Sequence, residues 1–471
     1  MRSGVGLPSV MLKALAVIVV MTAGCASSAV TATSRAGTAH GESAPAVETL
    51  APGIALATFD SVWTVVARTY VDTQFVATRW TAVRDSLRPR ALSVTTRAGL
   101  TDLMTATLGQ IHDSHFYIIP AGVAADVRPD DDNAGSGEGT TGVSVRIAGD
   151  RALVWRVEPG SPGALAGIAA GQTVEQVRER VVRPAIQRVL SLPDASRQRA
   201  LAELDFKLNG ALSPSVGDSV RIRFVKPGET KVIERALVAV PVAGTISKFG
   251  NLPPIAGRVR VARTPVTLGG GRGAACVGTI AFNIWLPALA PELQRAVDSV
   301  ADCAGIVLDV RGNPGGVGGM VMGFGGYFLD SAISLGTMKT RDISLNFVIN
   351  PRRIHVAGIE SGPFRGPVAI LVDPMTASTS EIFAAGLQRI GRARVFGEQS
   401  AGAALPALMQ GLPSGDVFVH AVADFRDPAG RRIEGAGVSP DEIVLLTEKD
   451  LSANTDAPLE AAIRWIQSRA P

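Results

Sequence analysis

At 471 residues the chain is longer than one ordinary domain and fits two to four. Its 46% apolar content is ample for packed cores, which excludes a disordered or fibrous chain. The formal charge of +4 is carried almost wholly by arginine, and no dense basic run with interleaved aromatics occurs, so nucleic-acid binding has no footing.

Residues 1–25 read as an export segment. Arg2 and Lys13 precede the apolar run from Ala14 to Met21, which is too short to span a bilayer stably by itself. Thr22-Ala23-Gly24-Cys25 then resembles a bacterial lipoprotein signal, with Cys25 as the acylated first residue of the mature chain. An ordinary small-residue cleavage site nearby is the alternative. Either route delivers the chain to the cell envelope, periplasmic or, with Ala26 beside the cysteine, anchored to the outer membrane. Residues 26–48, rich in Ala, Ser, Thr and Gly, read as a tether. Export also bears on Cys276 and Cys303: an oxidising compartment permits them to pair, while a buried free thiol at each is equally open. The five histidines (His40, His112, His115, His355 and His420) have no zinc-helix spacing, and neither a metal nor an organic cofactor is expected.

From 49 to 120 the periodicity is helical. Phe59, Val62, Trp63, Val66 and Tyr70 form one apolar stripe, and Leu100, Leu103, Met104, Leu108 and Ile111 another. This module ends at Asp113-Ser114-His115, where a polar triplet meets the extended run Phe116-Tyr117-Ile118-Ile119. Residues 121–136 read as a linker, containing Arg128-Pro129-Asp130-Asp131-Asp132-Asn133. A mostly β domain follows over 137–240. Its strands are marked by alternation, as at Val220, Ile222 and Phe224 against Arg221 and Arg223, and residues 176–212 form a helical insertion in it.

Beyond 241 strands alternate with helices, which implies an α/β domain to about 450 with buried strands, followed by a C-terminal helix over 451–471. Gly305-Ile306-Val307-Leu308-Asp309-Val310 is one apolar strand, and it runs into Arg311-Gly312-Asn313-Pro314-Gly315-Gly316. That glycine turn lacks the Lys-Ser/Thr ending of a phosphate loop and fails the dinucleotide fingerprint. It is either structural or a way to point backbone N–H groups at an oxyanion. Val368-Ala369-Ile370-Leu371-Val372 is a second buried strand, followed by a turn at Asp373-Pro374-Met375 and a helix over 378–388. Thr376 and Ser378 are open to two readings there: caps of the helix, or a hydroxyl nucleophile at a helix N-terminus. Glu381, three residues after Ser378, completes a capping box in the first reading.

Taken together and in this order, these segments resemble peptidase family S41, the C-terminal processing (tail-specific) serine peptidases. The matching motifs are Gly305 to Gly316, Thr376 to Glu381, Gly397-Glu398 with Ala401-Gly402, and Arg432 to Asp441. Residues 137–240 resemble the family's PDZ-like domain, most clearly at Gly160-Ser161-Pro162-Gly163-Ala164. The resemblance implies a ClpP/crotonase-like α/β catalytic domain with an inserted PDZ-like β domain and a small N-terminal helical module. One departure sets the branch. Ala403 stands where the processing branch carries its catalytic lysine, and no lysine occurs from 340 to 448. The other branch, typified by the tricorn-like core peptidases, uses a histidine preceded by serine just before the PDZ-like region, as Ser114-His115 is here, and a glutamate in the closing motif, where this chain has Glu434. His112 lacks the matching neighbours.

That resemblance implies a serine endopeptidase acting on exported or envelope proteins. Ser378 would be the nucleophile and His115 its base, since a hydroxyl needs a base within reach and imidazole titrates near pH ~6.5. Glu434, through Ser114, would orient the imidazole, and Thr379 with Gly315 or Gly316 would supply the oxyanion donors. Arg311 and Asp309 read as architectural. Gly142 and Val143 would accept an extended peptide as an added strand. The rival from another class is a catalytically inactive, peptide- or ligand-binding envelope protein, which should have lost one of Ser378, His115 or Glu434.

Overall fold

The computed structural model describes residues 48–121, 139–247, 255–268, 273–356 and 359–469. The export segment with Cys25, the tether up to residue 47 and the linker beyond Ala121 lie outside them. No helix among the described residues is long and apolar enough to cross a membrane.

Helices α1 (Ile54–Thr69), α2 (Thr81–Ala91) and α3 (Arg97–Leu108) bring their apolar faces together. Phe59, Val62, Val66, Leu100, Leu103 and Met104 surround Trp80, which is fully buried. The Trp80 ring N–H donates to the Trp63 carbonyl at 3.0 Å, and the Trp63 ring N–H donates to the Trp80 carbonyl at 2.9 Å. Both indole donors are thereby satisfied away from water. Thr96 caps α3, its hydroxyl accepting the Gly99 N–H at 3.1 Å. The chain then enters strand β1 (Phe116–Ile119).

Strands β2 (Val143–Ala148), β3 (Arg151–Val157) and β4 (Thr173–Val177) lead to helices α4 (Val182–Leu190) and α5 (Asp194–Ala211), then to β5 (Ser219–Val225) and β6 (Val232–Val238). The sheet runs in the order β2-β3-β4-β5-β6, antiparallel throughout. Val220, Ile222 and Phe224 face its core while Ser219, Arg221 and Arg223 face solvent, the period of two that the sequence carries. The helical insertion expected from 176 starts instead at Val182, because Gln176 and Val177 turn back to pair with Val181 and Arg180.

The remaining strands include β7 (Val259–Thr267), β8 (Ala274–Phe282), β9 (Gly305–Asp309), β10 (Val368–Val372), β11 (Ala393–Gly397), β12 (Ala407–Gly411), β13 (Val417–Ala421) and β14 (Glu442–Ile443). Helix α6 (Ala290–Val300) lies between β8 and β9, α7 (Thr379–Arg389) follows β10, and α8 (Ala457–Arg469) closes the chain. Six strands form the central sheet in the order β7-β8-β9-β10-β11-β14. All neighbours from β8 onward are parallel, and β7 is antiparallel. Every residue of β9 and β10 is buried, which explains their unbroken apolar sequences. Ile306, Leu308, Val368 and Ile370 pack with Leu293 and Val297 of α6 and with Phe383 and Leu387 of α7. The alternate residues Val307, Ala369 and Leu371 pack on Ala461, Ala462 and Ile466 of α8. Helices thus cover both faces.

The C-terminal helix expected from 451 starts at Ala457. A separate short helix, Glu448–Ser452, precedes it, capped by Thr447 and Asp450, and Asn454 at φ 53° breaks the path between them. Cys276 and Cys303 are joined in a disulfide, so the free-thiol alternative does not hold. Finally β1 pairs with β13, Phe116 opposite His420, in a three-stranded sheet ordered β1-β13-β12. This pairing delivers residues 113–115 to the loops of the α/β region, some three hundred residues later in the chain.

Candidate active site

Three adjacent parallel strands, β9, β10 and β11, end on the same side of the sheet, and the loops leaving them meet there. Clefts at the carboxyl ends of parallel strands are where α/β folds gather chemistry. The loop after β10 is a clamped turn. Asp373 Oδ1 accepts the Gly312 and Met375 N–H groups at 2.9 and 3.1 Å, and the Thr376 hydroxyl lies 3.0 Å from the Val310 carbonyl. Thr376 therefore fixes the turn to β9 and caps no helix. Ser378 follows at the N-cap of α7, only 2% exposed, with φ 56° and ψ −118°. That conformation is costly for a residue with a Cβ and persists only where its surroundings impose it. Ser378 and Glu381 face each other in a capping box, but the bond it closes is from the Ser378 N–H to Glu381 Oε2, at 2.9 Å.

The glycine turn after β9 packs directly on the serine. A Cβ on Gly315 would stand 2.8 Å from Ser378 Cβ, and one on Gly316 only 2.3 Å from the Trp285 carbonyl oxygen. Their φ values of 107° and 135° suit glycine alone. The two glycines differ in their N–H groups. That of Gly315 donates to Asn313 Oδ1 at 3.0 Å. The Trp285 N–H is held by the Gly315 carbonyl and the Val317 N–H by the Trp285 carbonyl, each at 2.8 Å, and neither bond uses the Gly316 N–H. The Thr379 hydroxyl donates to the Gly316 carbonyl at 2.9 Å and ties the two segments together.

The second cluster joins residues 320 positions apart. Glu434 Oε2 accepts the Ser114 hydroxyl at 2.8 Å and the Ala404 N–H at 2.8 Å, and Oε1 accepts the Ser114 N–H at 2.6 Å. Ser114 Oγ lies 2.6 Å from His115 Nδ1. A hydroxyl has one hydrogen; donated to the carboxylate, it leaves an oxygen lone pair for Nδ1–H and places the imidazole lone pair on Nε2. Burial pushes the Glu434 carboxyl up from its usual range, against the hydrogen bonds from Ser114 and Ala404 that favour its ionised form. Ser114 and His115 are each 1% exposed and Glu434 is 6% exposed, so the whole cluster is buried. His115 also sits at φ 63°. His112, by contrast, is exposed and lines a separate cleft with Lys339 and Arg341.

Residues 277–444 match the sequence model of peptidase family S41. A chloroplastic C-terminal processing peptidase of Tetradesmus obliquus is 26% identical over 395 residues, covering 81% of this chain and 76% of that one. A carboxyl-terminal-processing protease of Synechocystis is 27% identical over 256 residues, 52% of this chain and 56% of the relative. Among solved structures, the photosystem II D1 C-terminal processing protease superposes with a TM-score of 0.56 at 21% identity, covering 88% of this chain and 98% of that one. Mature CPAF superposes at 0.59 with 13% identity, covering 88% and 96%. Residues 277–444 are thus a peptidase S41 region. The chain is a serine-type peptidase with the mixed α/β fold of these relatives.

Several residues of this S41 site were invisible as site residues in the sequence. Glu381, read there as a capping residue, is fully buried and accepts four donors. Asn313 holds the glycine turn twice, through Gly315 and through its own Nδ2 to the Phe282 carbonyl at 3.0 Å. An amide side chain ahead of Pro-Gly-Gly was the available signal. Ala403 is buried and offers its N–H to Glu381 Oε2 at 2.9 Å. Asp309 and Arg311 are an architectural pair, bonded at 2.8 Å, with Arg311 reaching on to Asp456 at 2.7 Å and so fixing the start of α8.

The β domain touches the site through Arg146 of β2, which pairs with Asp373 at 2.7 Å and stacks on Trp155. Gly142 and Val143, expected to accept a peptide, lie at the start of the same strand. Gly142 has φ 73° and packs on Ser161, and Val143 is buried against the β domain core. Further along β2 the outer edge is occupied by α5. Asn209 Oδ1 accepts the Val145 N–H at 2.9 Å and its Nδ2 donates to the Val145 carbonyl at 3.0 Å, while Asp205 Oδ1 accepts the Ile147 N–H at 3.0 Å. A peptide added along β2 beyond Val143 therefore meets a covered edge at Val145 and Ile147, where these helix side chains already satisfy the groups it would pair with.

Proposed function

We propose that this chain is an endopeptidase of exported or envelope proteins that works by a serine–histidine mechanism, with Ser378 as nucleophile and His115 as general base. The observation that carries the reading is the buried relay Glu434–Ser114–His115, in a chain with Ala403 at the position of the processing branch's lysine. His115 Nε2 takes the Ser378 proton as Oγ attacks the scissile carbonyl. The imidazolium is held at Nδ1 by Ser114, which Glu434 orients and supports electrostatically. Thr379 and Gly316 N–H groups face the oxyanion; Gly315 is excluded as donor by its bond to Asn313. The proton passes from Nε2 to the leaving amine, and water then releases the acyl group from Ser378 by the same steps in reverse.

The disulfide between Cys276 and Cys303 fits the export read from residues 1–25, since such bonds persist in oxidising compartments. The carboxyl-terminal-processing names of the relatives favour a processing role on protein substrates, and the β domain over 137–240 is the PDZ-like unit of that apparatus. Lipid attachment at Cys25 belongs to the same reading. Reaction of the purified full chain with a fluorophosphonate probe tests it. Labelling abolished by both Ser378→Ala and His115→Ala is expected. Labelling that persists in Ser378→Ala names another nucleophile, and its absence from folded wild type favours a binding protein.

A further inference from the structure

Glu381 has more partners than a helix cap needs. Oε2 accepts the Ser378 and Ala403 N–H groups, both at 2.9 Å; Oε1 accepts the Gly402 N–H at 2.8 Å and the Ser400 hydroxyl at 2.5 Å. Two donors on each oxygen fill its acceptor capacity in the ionised form, so its four contacts are all of one polarity. One bond serves the nucleophile. The other three hold the loop from Ser400 to Ala404, which follows β11.

The next N–H of that loop goes to the other carboxylate. Gly402 and Ala403 donate to Glu381, whereas Ala404 donates to Glu434 Oε2 at 2.8 Å. The loop is also fastened to the turn that carries Glu434, the Gly435 N–H reaching the Gly402 carbonyl at 2.8 Å and the Val438 N–H reaching Ser400 Oγ at 2.7 Å. A continuous path therefore runs from the Ser378 backbone through Glu381, the loop and Glu434 to Ser114 and His115. Ser378, Glu381, Ala403, Ala404, Glu434, Ser114 and His115 are all buried. With each link hydrogen-bonded and shielded from water, moving one end displaces the other.

We propose that Glu381 is a positioning residue for the peptidase reaction, holding the Ser378 nucleophile in register with the His115 relay through the loop Ser400–Ala404. The inference rests on the serine–histidine reading given above. It assigns the loop a backbone role: its N–H groups space nucleophile and base, with no side-chain chemistry contributed at Ala403. Glu381 also occupies the Ser378 N–H, which leaves the next amide, that of Thr379, for the oxyanion.

Glu381→Gln tests this, because it keeps the shape and sets an NH₂ group against two of the four donors. Fluorophosphonate inactivation of the full chain separates the probe's binding constant from its maximal rate of inactivation. The maximal rate is expected to fall about 30- to 100-fold with binding changed less than twofold and the melting temperature close to wild type. A double variant, Glu381→Gln with Glu434→Gln, distinguishes positioning from simple support of α7. If the two residues act through one loop, the double loss stays within about threefold of the larger single loss. Multiplying losses, or a Glu381→Gln rate within threefold of wild type, would overturn the proposal. Should Glu381→Gln fail to fold, Ser400→Ala removes one of the four donors together with the Val438 link. It is expected to slow inactivation roughly tenfold at unchanged binding, and an unchanged rate would count against the proposal equally. Labelling that survives Ser378→Ala or His115→Ala would remove the underlying mechanism instead, a separate result.

Discussion

Among the described residues only four other than glycine have a positive φ: His115, Arg178, Ser378 and Asn454. Two of the four are the proposed base and nucleophile. Backbone held in such conformations gathers where neighbouring structure over-determines it, and the glycine turn is one such neighbour. Gly316 cannot gain a Cβ without displacing the Trp285 carbonyl or itself, and its φ of 135° disfavours any other residue. Gly316→Ala is therefore expected to retract its N–H from the oxyanion position and lower kcat on a peptide substrate by roughly 10²-fold, the cost of one such donor. Unchanged kcat in that variant would remove Gly316 from the oxyanion hole. At this scale the sequence disclosed residue types but not partners. Ser114-His115 and Glu434 could be grouped only through the family resemblance, which implies a serine–histidine pair before the PDZ-like region and a glutamate in the closing motif. The three loop donors of Glu381 lie 19 to 22 residues farther on, in a stretch without a polar pattern, so its spacing of three from Ser378 spoke only of a cap.

Elements were legible where burial is simple. The fully buried β9 and β10 are unbroken apolar runs, and the half-buried β5 alternates strictly. The placement of α5 was not legible, because nothing in Asp205 or Asn209 announces that their side chains will cap the edge of a strand 58 to 64 residues earlier. Yet this contact occupies the backbone groups of the strand edge to which an added peptide would pair. Removing both side chains by Asp205→Ala with Asn209→Ala frees the Val145 and Ile147 N–H groups and the Val145 carbonyl. Extended peptides that show no measurable binding to the wild-type β domain are expected to bind the double variant, read by fluorescence anisotropy in the Ser378→Ala background. Equal binding by the two proteins would mean that the β2 edge is not the acceptor, or that α5 leaves it at no cost.

At the scale of the whole molecule, the β domain and the α/β region are electrostatically continuous. Asp205 is buried, with Arg146 holding its pKa down and Asp373 and Glu398 pushing it up; burial is the larger cause, and its carboxyl rises to about 7. Burial pushes Glu381 up to about 7 as well, against the four hydrogen bonds that favour its ionised form. Both folded values exceed the unfolded ones, so the stability each contributes is complete below about pH 4 and is lost as pH climbs through 7. His420, buried beside Thr69, moves the other way, down to about 4. Its contribution is complete above the unfolded histidine value near ~6.5 and disappears as pH falls toward 4. Over the interval between, Asp205 and Glu381 weaken the fold with rising pH, and His420 strengthens it. Asp205→Asn isolates one of them. The amide oxygen can still accept the Ile147 N–H, but there is no longer a charge to desolvate as pH rises. Relative to wild type, the variant should gain on the order of 3 kcal/mol between pH 5 and pH 8, measured by urea unfolding in the Ser378→Ala background to prevent self-digestion. Parallel stability profiles for the two proteins would show that Asp205 ionises without penalty where it lies. The gain, if found, would place a charge cost beside the Arg146–Asp373 pair, at the turn that precedes the nucleophile in the chain.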